Sequence, residues 1–180
     1  MAIDHHAVPK DAGTGEATGT FARWLAQRIQ HAPTPEERYR AACLSWTARR
    51  PRLTNALLGR VRDRNEHHLI RGVCLENLAS SAAWHHPKSR LDRKVHRTIL
   101  ESLEDPLPNV RFWACYAAGT LRLQAARSRL DKLSHDEGLG DMGWSVAYEA
   151  EQALENIRTG NGWNDDRIPG ENPYPPLDAP

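Results

Sequence analysis

The chain has 180 residues, of which 39% are hydrophobic and 26% charged, enough for one ordinary domain with its own core. No apolar run nears the roughly 20 residues that cross a bilayer, and the lack of an apolar signal core after Met1 predicts a cytoplasmic protein. The net charge of +1 hides an asymmetry: residues 1–100 carry 17 Lys and Arg against 9 Asp and Glu, and residues 101–180 carry 7 against 14. Such a dipole favours oriented docking on a charged partner, or head-to-tail self-association.

Residues 1–17 are rich in Gly, Ala, Thr, Asp and His without apolar period, and read as a disordered leader. Phe21, Trp24, Leu25 and Ile29 fall at helical spacing and predict a helix from Thr20 to about His31. Thr34-Pro35-Glu36-Glu37 is a helix start. Thr34 caps, Pro35 suits the first helical position, and Glu37 stands where a capping-box carboxylate reaches back. That helix is expected to run to about Ala48. The next opens at Pro51 with Leu53, Leu57 and Val61 on one face, and another spans about Glu66 to Ser81. A loop at Trp84–Lys88 leads to Ser89 and Asp92, a second capping pair ahead of Leu91, Val95, Ile99 and Leu103. Asp105-Pro106-Leu107-Pro108 breaks that helix. Helices at Val110–Leu123, Ala126–His135 and Trp144–Ile157 follow. From Gly160 onward Pro169, Pro173, Pro175 and Pro176 predict an extended, Pro-rich tail over 160–180. Strand-type alternation is missing, so the class is all-α.

Internal similarity carries more. Val110, Ala114, Ala117 and Leu121 match Val146, Ala150, Ala153 and Ile157 at an offset of 36 residues. An earlier copy starts at Ile70, with Arg71, Cys74 and Leu78, and a weaker one at Tyr39, with Arg40 and Cys43. Small residues at the fifth and eighth positions let a partner helix approach, and aliphatics fill the seam. One helix pair cannot bury its own apolar face, so such pairs stack.

Over roughly residues 35–158 this pattern resembles the HEAT repeat, in the short bacterial form grouped with bilin-lyase-type repeats. Asp105-Pro106-Leu107-Pro108-Asn109-Val110-Arg111 with Ala114 carries the resemblance best. It implies a right-handed α-solenoid of about four helix pairs over residues 18–159. In that family an Asp before the first helix often pairs with an Arg after its first aliphatic, between neighbouring repeats. Asp105, Arg40, Arg71 and Arg111 stand in such places, while Ala147 replaces the Arg in the last copy. The family is known mainly for binding other macromolecules.

On the outer faces of the second helices, Arg62, Arg93, Arg97 and Lys132, flanked by Arg60, would form a basic ridge on a concave side. This ridge predicts a dock for an acidic protein segment or, less favoured in a near-neutral chain, for nucleic acid. An ordinary solvated face is the bland alternative. Phe112, Trp113, Cys115 and Tyr116 make their helix apolar all round, so cover is expected from more than one side. The tail, with Trp163, Tyr174 and Leu177, or a partner protein, could supply it.

His67-His68 and His85-His86 are adjacent residues that diverge on a helix and do not make a metal site. Cys43, Cys74 and Cys115 read as core thiols. Gly138, Gly140 and Gly143 are expected to shape the last inter-repeat connection. The chain lacks a phosphate-binding Gly loop, nucleophile elbow and HExxH, and no cofactor is expected. The reading is therefore a non-catalytic scaffold for a partner protein, as an inhibitor, antitoxin-like partner or assembly factor. The alternatives are a nucleic-acid binder, or an enzyme of the bilin-lyase type or the helical DNA-glycosylase type, the latter resting on Trp113 with Asp105.

Overall fold

The computed structural model describes residues 19–47, 50–82, 89–140 and 143–160. The expected leader, the Trp84–Lys88 loop, His85-His86 and the Pro-rich tail lie outside the described residues. Eight α-helices follow one another: α1 (Gly19–His31), α2 (Pro35–Cys43), α3 (Pro51–Arg62), α4 (His68–Ala82), α5 (Arg90–Ser102), α6 (Pro108–Thr120), α7 (Arg127–Leu133) and α8 (Val146–Thr159). Among the described residues the only β-pairing is an isolated bridge between Leu139 and Ser145.

Local chemistry starts α2, α3 and α5 where the residues predict, while α4, α6 and α8 begin at His68, Pro108 and Val146, each within two residues of the expected Glu66, Val110 and Trp144. The Thr34 hydroxyl accepts from the Glu37 amide at 3.2 Å, and Pro35 takes the first helical position of α2. Pro51 and Pro108 do the same for α3 and α6, because a residue without an N–H loses nothing in the first turn. The Ser89 and Ser145 side chains cap α5 and α8, each accepting at 3.1 Å from the amide three residues on. At the other end of α8, Gly160 adopts the left-handed conformation (φ 70°) that closes a helix C-terminus.

Some ends differ from expectation. α2 stops at Cys43 and tightens into a 3-10 turn over Leu44–Thr47, and α6 stops at Thr120. There Arg122 turns left-handed (φ 50°) and the Leu123 amide reaches back to the Ala118 carbonyl at 2.9 Å. That geometry belongs to a helix-ending motif, which propensity over Val110–Leu123 does not reveal.

Helix packing follows an alternation. α2 packs on α4, α4 on α6, and α6 on α8, while α1 packs on α3 and α3 on α5. Each odd helix also packs on the even helix after it. α4 and α6 sit between several neighbours and are buried nearly all round. Ile70, Val73, Cys74, Leu75, Leu78 and Ala79 of α4 and Val110, Trp113, Ala114, Cys115, Ala117 and Ala118 of α6 belong to one continuous core. Small residues set the closeness of approach. A Cβ at Gly72 would collide with Cδ1 of Trp113, and one at Gly140 with the Phe112 ring. The α6 aromatics are thus covered by α4 on one side and by the α7–α8 loop on another. Gly138 of that loop lies against Pro108 and Arg111, so these glycines do shape the last connection.

Candidate functional site

A row of arginines runs through the molecule at one helical position. Arg38, Arg71 and Arg111 are each the fourth residue of their helix, in α2, α4 and α6. Each guanidinium clasps a carboxylate ahead of the next even-numbered helix. Arg38 donates Nε and Nη2 to Glu66 at 2.6 and 3.0 Å. Arg71 donates Nη2 and Nη1 to Asp105 at 2.5 and 3.3 Å. Arg111 donates Nε and Nη2 to Asp136 at 2.7 and 3.0 Å. These are bidentate, charge-assisted pairs, the strongest neutral-pH contacts open to these side chains.

The same guanidiniums also hold backbone. Arg38 donates to the Ala32 carbonyl at 2.9 Å, Arg111 to that of Asp105 at 2.8 Å, and Arg71 to that of Val61 at 3.0 Å. Arg40, the residue that the sequence register assigns to this position, instead pairs with exposed Glu36 within its own turn. Tyr39 can stand in for a repeat aliphatic, which shifts the first copy by two residues. The alignment Pro35 to Pro108, each first in its helix, puts Arg38 opposite Arg111. In α8 the fourth residue is Glu149, which is buried.

Glu66 is the most heavily used carboxylate. It also accepts from Arg60 and from the His67 amide, both at 3.0 Å. Burial pushes its carboxyl up, but these donors outweigh burial and hold it below the usual carboxylate range. The Arg111 guanidinium likewise holds Asp136 low.

Two depressions open on either side of Asp105. The first, about 160 Å³, is lined by Arg62, Arg64 and Arg71 with Thr98, Ser102, Glu101 and Asp105. The second, about 420 Å³, is lined by Arg111, Arg129 and Lys132 with Glu104, Asp105, Leu103 and Leu133. The pair thus presents six cations against three carboxylates. Arg71 and Arg111 are committed to the row above, and Arg129 to Glu104 at 2.7 Å. Arg62 donates to the Thr98 hydroxyl at 2.7 Å, leaving its charge uncompensated by a carboxylate. Arg64 and Lys132 make no ion pair among the described residues. The two depressions therefore hold three cations without a carboxylate partner among the described residues: Arg62 and Arg64 in the first and Lys132 in the second.

The ridge expected from helix faces is reached only in part. Arg62 and Lys132 line the two depressions. Arg93 and Arg97 lie exposed on α5 outside their lining, and Arg97 faces Glu101 at 3.6 Å. Arg60 is half-buried, bonded to Glu66, to Asp63 at 3.3 Å and to the Gln30 carbonyl at 2.6 Å. It is a structural residue of the α1–α3–α4 junction. Phe112 and Trp113 are buried core and Tyr116 partly so, with ring contacts at 5.3 and 5.5 Å between successive members. Face analysis missed Arg64, which sits in the α3–α4 connection where no helical face exists.

Among the described residues no group of three or more His, Cys, Asp or Glu is placed to hold a metal ion. His67 and His68 stack at 4.6 Å. Among the described residues no helix is long and apolar enough to cross a membrane. No protein-family model matches the chain, and neither does any curated protein sequence.

Proposed function

We propose that the chain is a non-catalytic binding scaffold: a right-handed α-solenoid of about four HEAT-like helix pairs that docks an acidic segment of a partner protein in the cytoplasm. The observation that carries this reading is the two depressions bracketing Asp105, with Arg62, Arg64 and Lys132 uncompensated among their six cations. The alternation of helix contacts and the recurrence of Arg38, Arg71 and Arg111 support the repeat reading. In repeat proteins each unit contacts only its neighbours, and the row of equivalent positions forms an extended binding surface. Protein is favoured over nucleic acid because half of the lining cations already serve carboxylates, leaving too few for tracking a phosphate backbone.

The test is capture from a nuclease-treated lysate by immobilised full-length protein, beside an R62E/R64E/K132E variant, with mass spectrometry as readout. The reading expects a stoichiometric protein retained by the wild type and lost from the variant. The captured protein is then titrated directly, and its affinity should weaken as salt is raised. Retention that appears only when nuclease is omitted would move the assignment to nucleic acid. Retention by both forms would remove the groove from the interface.

A further inference from the structure

α2 packs on α4 and α8 packs on α6, so these two helices end the even-numbered series. We propose that α2 of one copy of the chain docks on α8 of a second copy, giving head-to-tail association in which each junction repeats the α4–α6 joint. The inference rests on helix contacts and burial and is independent of the two depressions beside Asp105.

Inside the molecule the joint is defined by contacts. α4 presents Gly72 and the His68 carbonyl. α6 answers with Trp113, packed on Gly72, and with Asn109, which donates to the His68 carbonyl at 3.3 Å. On its other side α6 presents Phe112, covered by Gly140 ahead of α8. Aligning Pro35 with Pro108 puts Glu36, Arg40 and Leu44 where α6 has Asn109, Trp113 and Ala117. The three α2 residues are exposed and their α6 counterparts are buried. Tyr39, Ala41 and Ala42 stay buried, as Phe112, Ala114 and Cys115 do. α2 is thus bare on the face that α6 turns to the helix before it. At the offset of 36 residues, Tyr148, Glu151 and Glu155 take the places of Phe112, Cys115 and Gly119. Again the α8 residues are exposed and the α6 residues buried, while Val146, Ala150 and Ala153 remain core. α8 is bare on the face that a following helix would take.

Terminal repeats carry polar outer faces, and the chemistry of these two selects each other. Arg40 stands at the place of Trp113. Aligning Arg71 with Arg111 puts Gly72 at the place of Phe112, and hence of Tyr148. Repeating the α4–α6 joint therefore lays the Arg40 guanidinium of one copy on the Tyr148 ring of the other, beside Glu151. A guanidinium stacks on an aromatic face and pairs with a carboxylate at its edge. Trp144, whose ring centroid is 4.9 Å from that of Tyr148, widens the aromatic surface. Glu151 makes no ion pair among the described residues, and the pair of Arg40 with Glu36 is exposed on both sides, so sharing Arg40 costs little. The basic first half of the chain then meets the acidic end of the next copy. The buried clasp has no counterpart at this junction: Ala147 takes the arginine place in α8 and Ala32 the place of Asp105 before α2. No charge is stranded there, and without the bidentate pair the junction is weaker than the internal joints and reversible.

The experiment is sedimentation velocity of the full chain over rising protein concentration. The wild type is expected to sediment faster as it is concentrated, and to return toward the monomer as salt is raised. R40E, which spoils the α2 face, and Y148S/E151S, which spoils the α8 face, should each weaken association about tenfold or more. All three replaced side chains are exposed, so circular dichroism should match the wild type. The decisive sample is an equimolar mixture of the two variants at a concentration where each alone is monomeric. The mixture retains one intact α8 face and one intact α2 face, so it should form a one-to-one dimer and grow no further. A wild type that stays monomeric at every concentration overturns the proposal. A mixture that stays monomeric while the wild type associates also overturns it, because the two faces then do not meet each other. Association of both variants at wild-type strength overturns it as well and puts the interface elsewhere.

Discussion

Replacing Asp105 with Asn tests whether the arginine row is structural. The side chains of Arg71 and Asp105 are only 4% and 2% exposed, so D105N leaves a buried guanidinium charge facing only a neutral amide oxygen and the Val61 carbonyl. Orphaning one member of such a pair costs about 3–5 kcal/mol. For a domain of this size each kcal/mol moves Tm by about 2–4 °C, so the fall should be roughly 6–20 °C. Glu66 and Asp136 provide an internal scale. Glu66 is 1% exposed but its partners Arg38 and Arg60 are 15% and 20% exposed, so water can solvate what E66Q strands. Arg111 and Asp136 are both 16% exposed, and D136N should cost least, about 1 kcal/mol. Urea unfolding followed by circular dichroism gives all three free energies. A loss below about 1 kcal/mol for D105N, or a larger loss for D136N than for D105N, would refute the reasoning from burial. The double replacement R71M/D105L removes both charges and should recover only part of the loss, because it avoids the desolvation cost but strands the Leu107 amide and the Val61 carbonyl.

Acid should loosen the fold through the same groups. Glu37, Glu66 and Asp136 all sit below the usual carboxylate range in the folded chain, so the unfolded chain binds protons first as pH falls. Their stabilisation is complete above the ordinary carboxylate pKa and is lost as pH drops from about 4.5 through the lowered values; urea midpoints measured from pH 7 to pH 3 should be flat and then fall. G140A should cost about 1–3 kcal/mol in the same unfolding assay, because its Cβ would meet the Phe112 Cβ at 2.5 Å and one of the two must move. Burial raises the Cys43 thiol to about 12 and raises Cys74 and Cys115 as well. A disulfide reagent at pH 8 should therefore titrate none of the three quickly in native protein and all of them in urea.

How far the residues alone reveal this architecture depends on whether the signal is local. Helix starts at Pro35 and Ser89 are legible because the capping side chain and the amide it serves are within three residues of each other, and the start at Pro51 because proline itself suits the first helical position. The register of the first repeat copy is not, since Tyr39 and Cys43 imitate the aliphatic and small positions while the ion pair that settles it joins Arg38 to Glu66, 28 residues away. The 3-10 turn after Cys43 and the left-handed Arg122 likewise answer to packing beyond their own window. At the site, helix faces find Arg62 and Lys132 but also select Arg93 and Arg97, because a face shows which way a side chain points and not what lies beside it. Arg64, in a connection, and Arg129, at the edge of its face, enter the groove only once α3, α5 and α7 are brought round Asp105.

The row and the groove share Asp105, and that overlap decides which substitutions are informative. Asp105 carries the buried pair with Arg71 and accepts from the Leu107 amide at 3.1 Å, so it fixes the α5–α6 connection and with it the wall between the two depressions. Any change at Asp105, Arg71 or Arg111 therefore alters stability and groove shape together. A loss of binding there would not separate the two causes. Arg62, Arg64 and Lys132 sit outside the carboxylate pairing. An exposed charge of this kind contributes about 1 kcal/mol or less to folding. Charge reversal at these three positions should leave the unfolding transition nearly in place while it reverses the field that an approaching acidic segment meets. The cations are thus separated by depth: Arg71 and Arg111 hold successive helices together through carboxylates, and Arg62, Arg64 and Lys132 carry their charge at the surface of the two depressions.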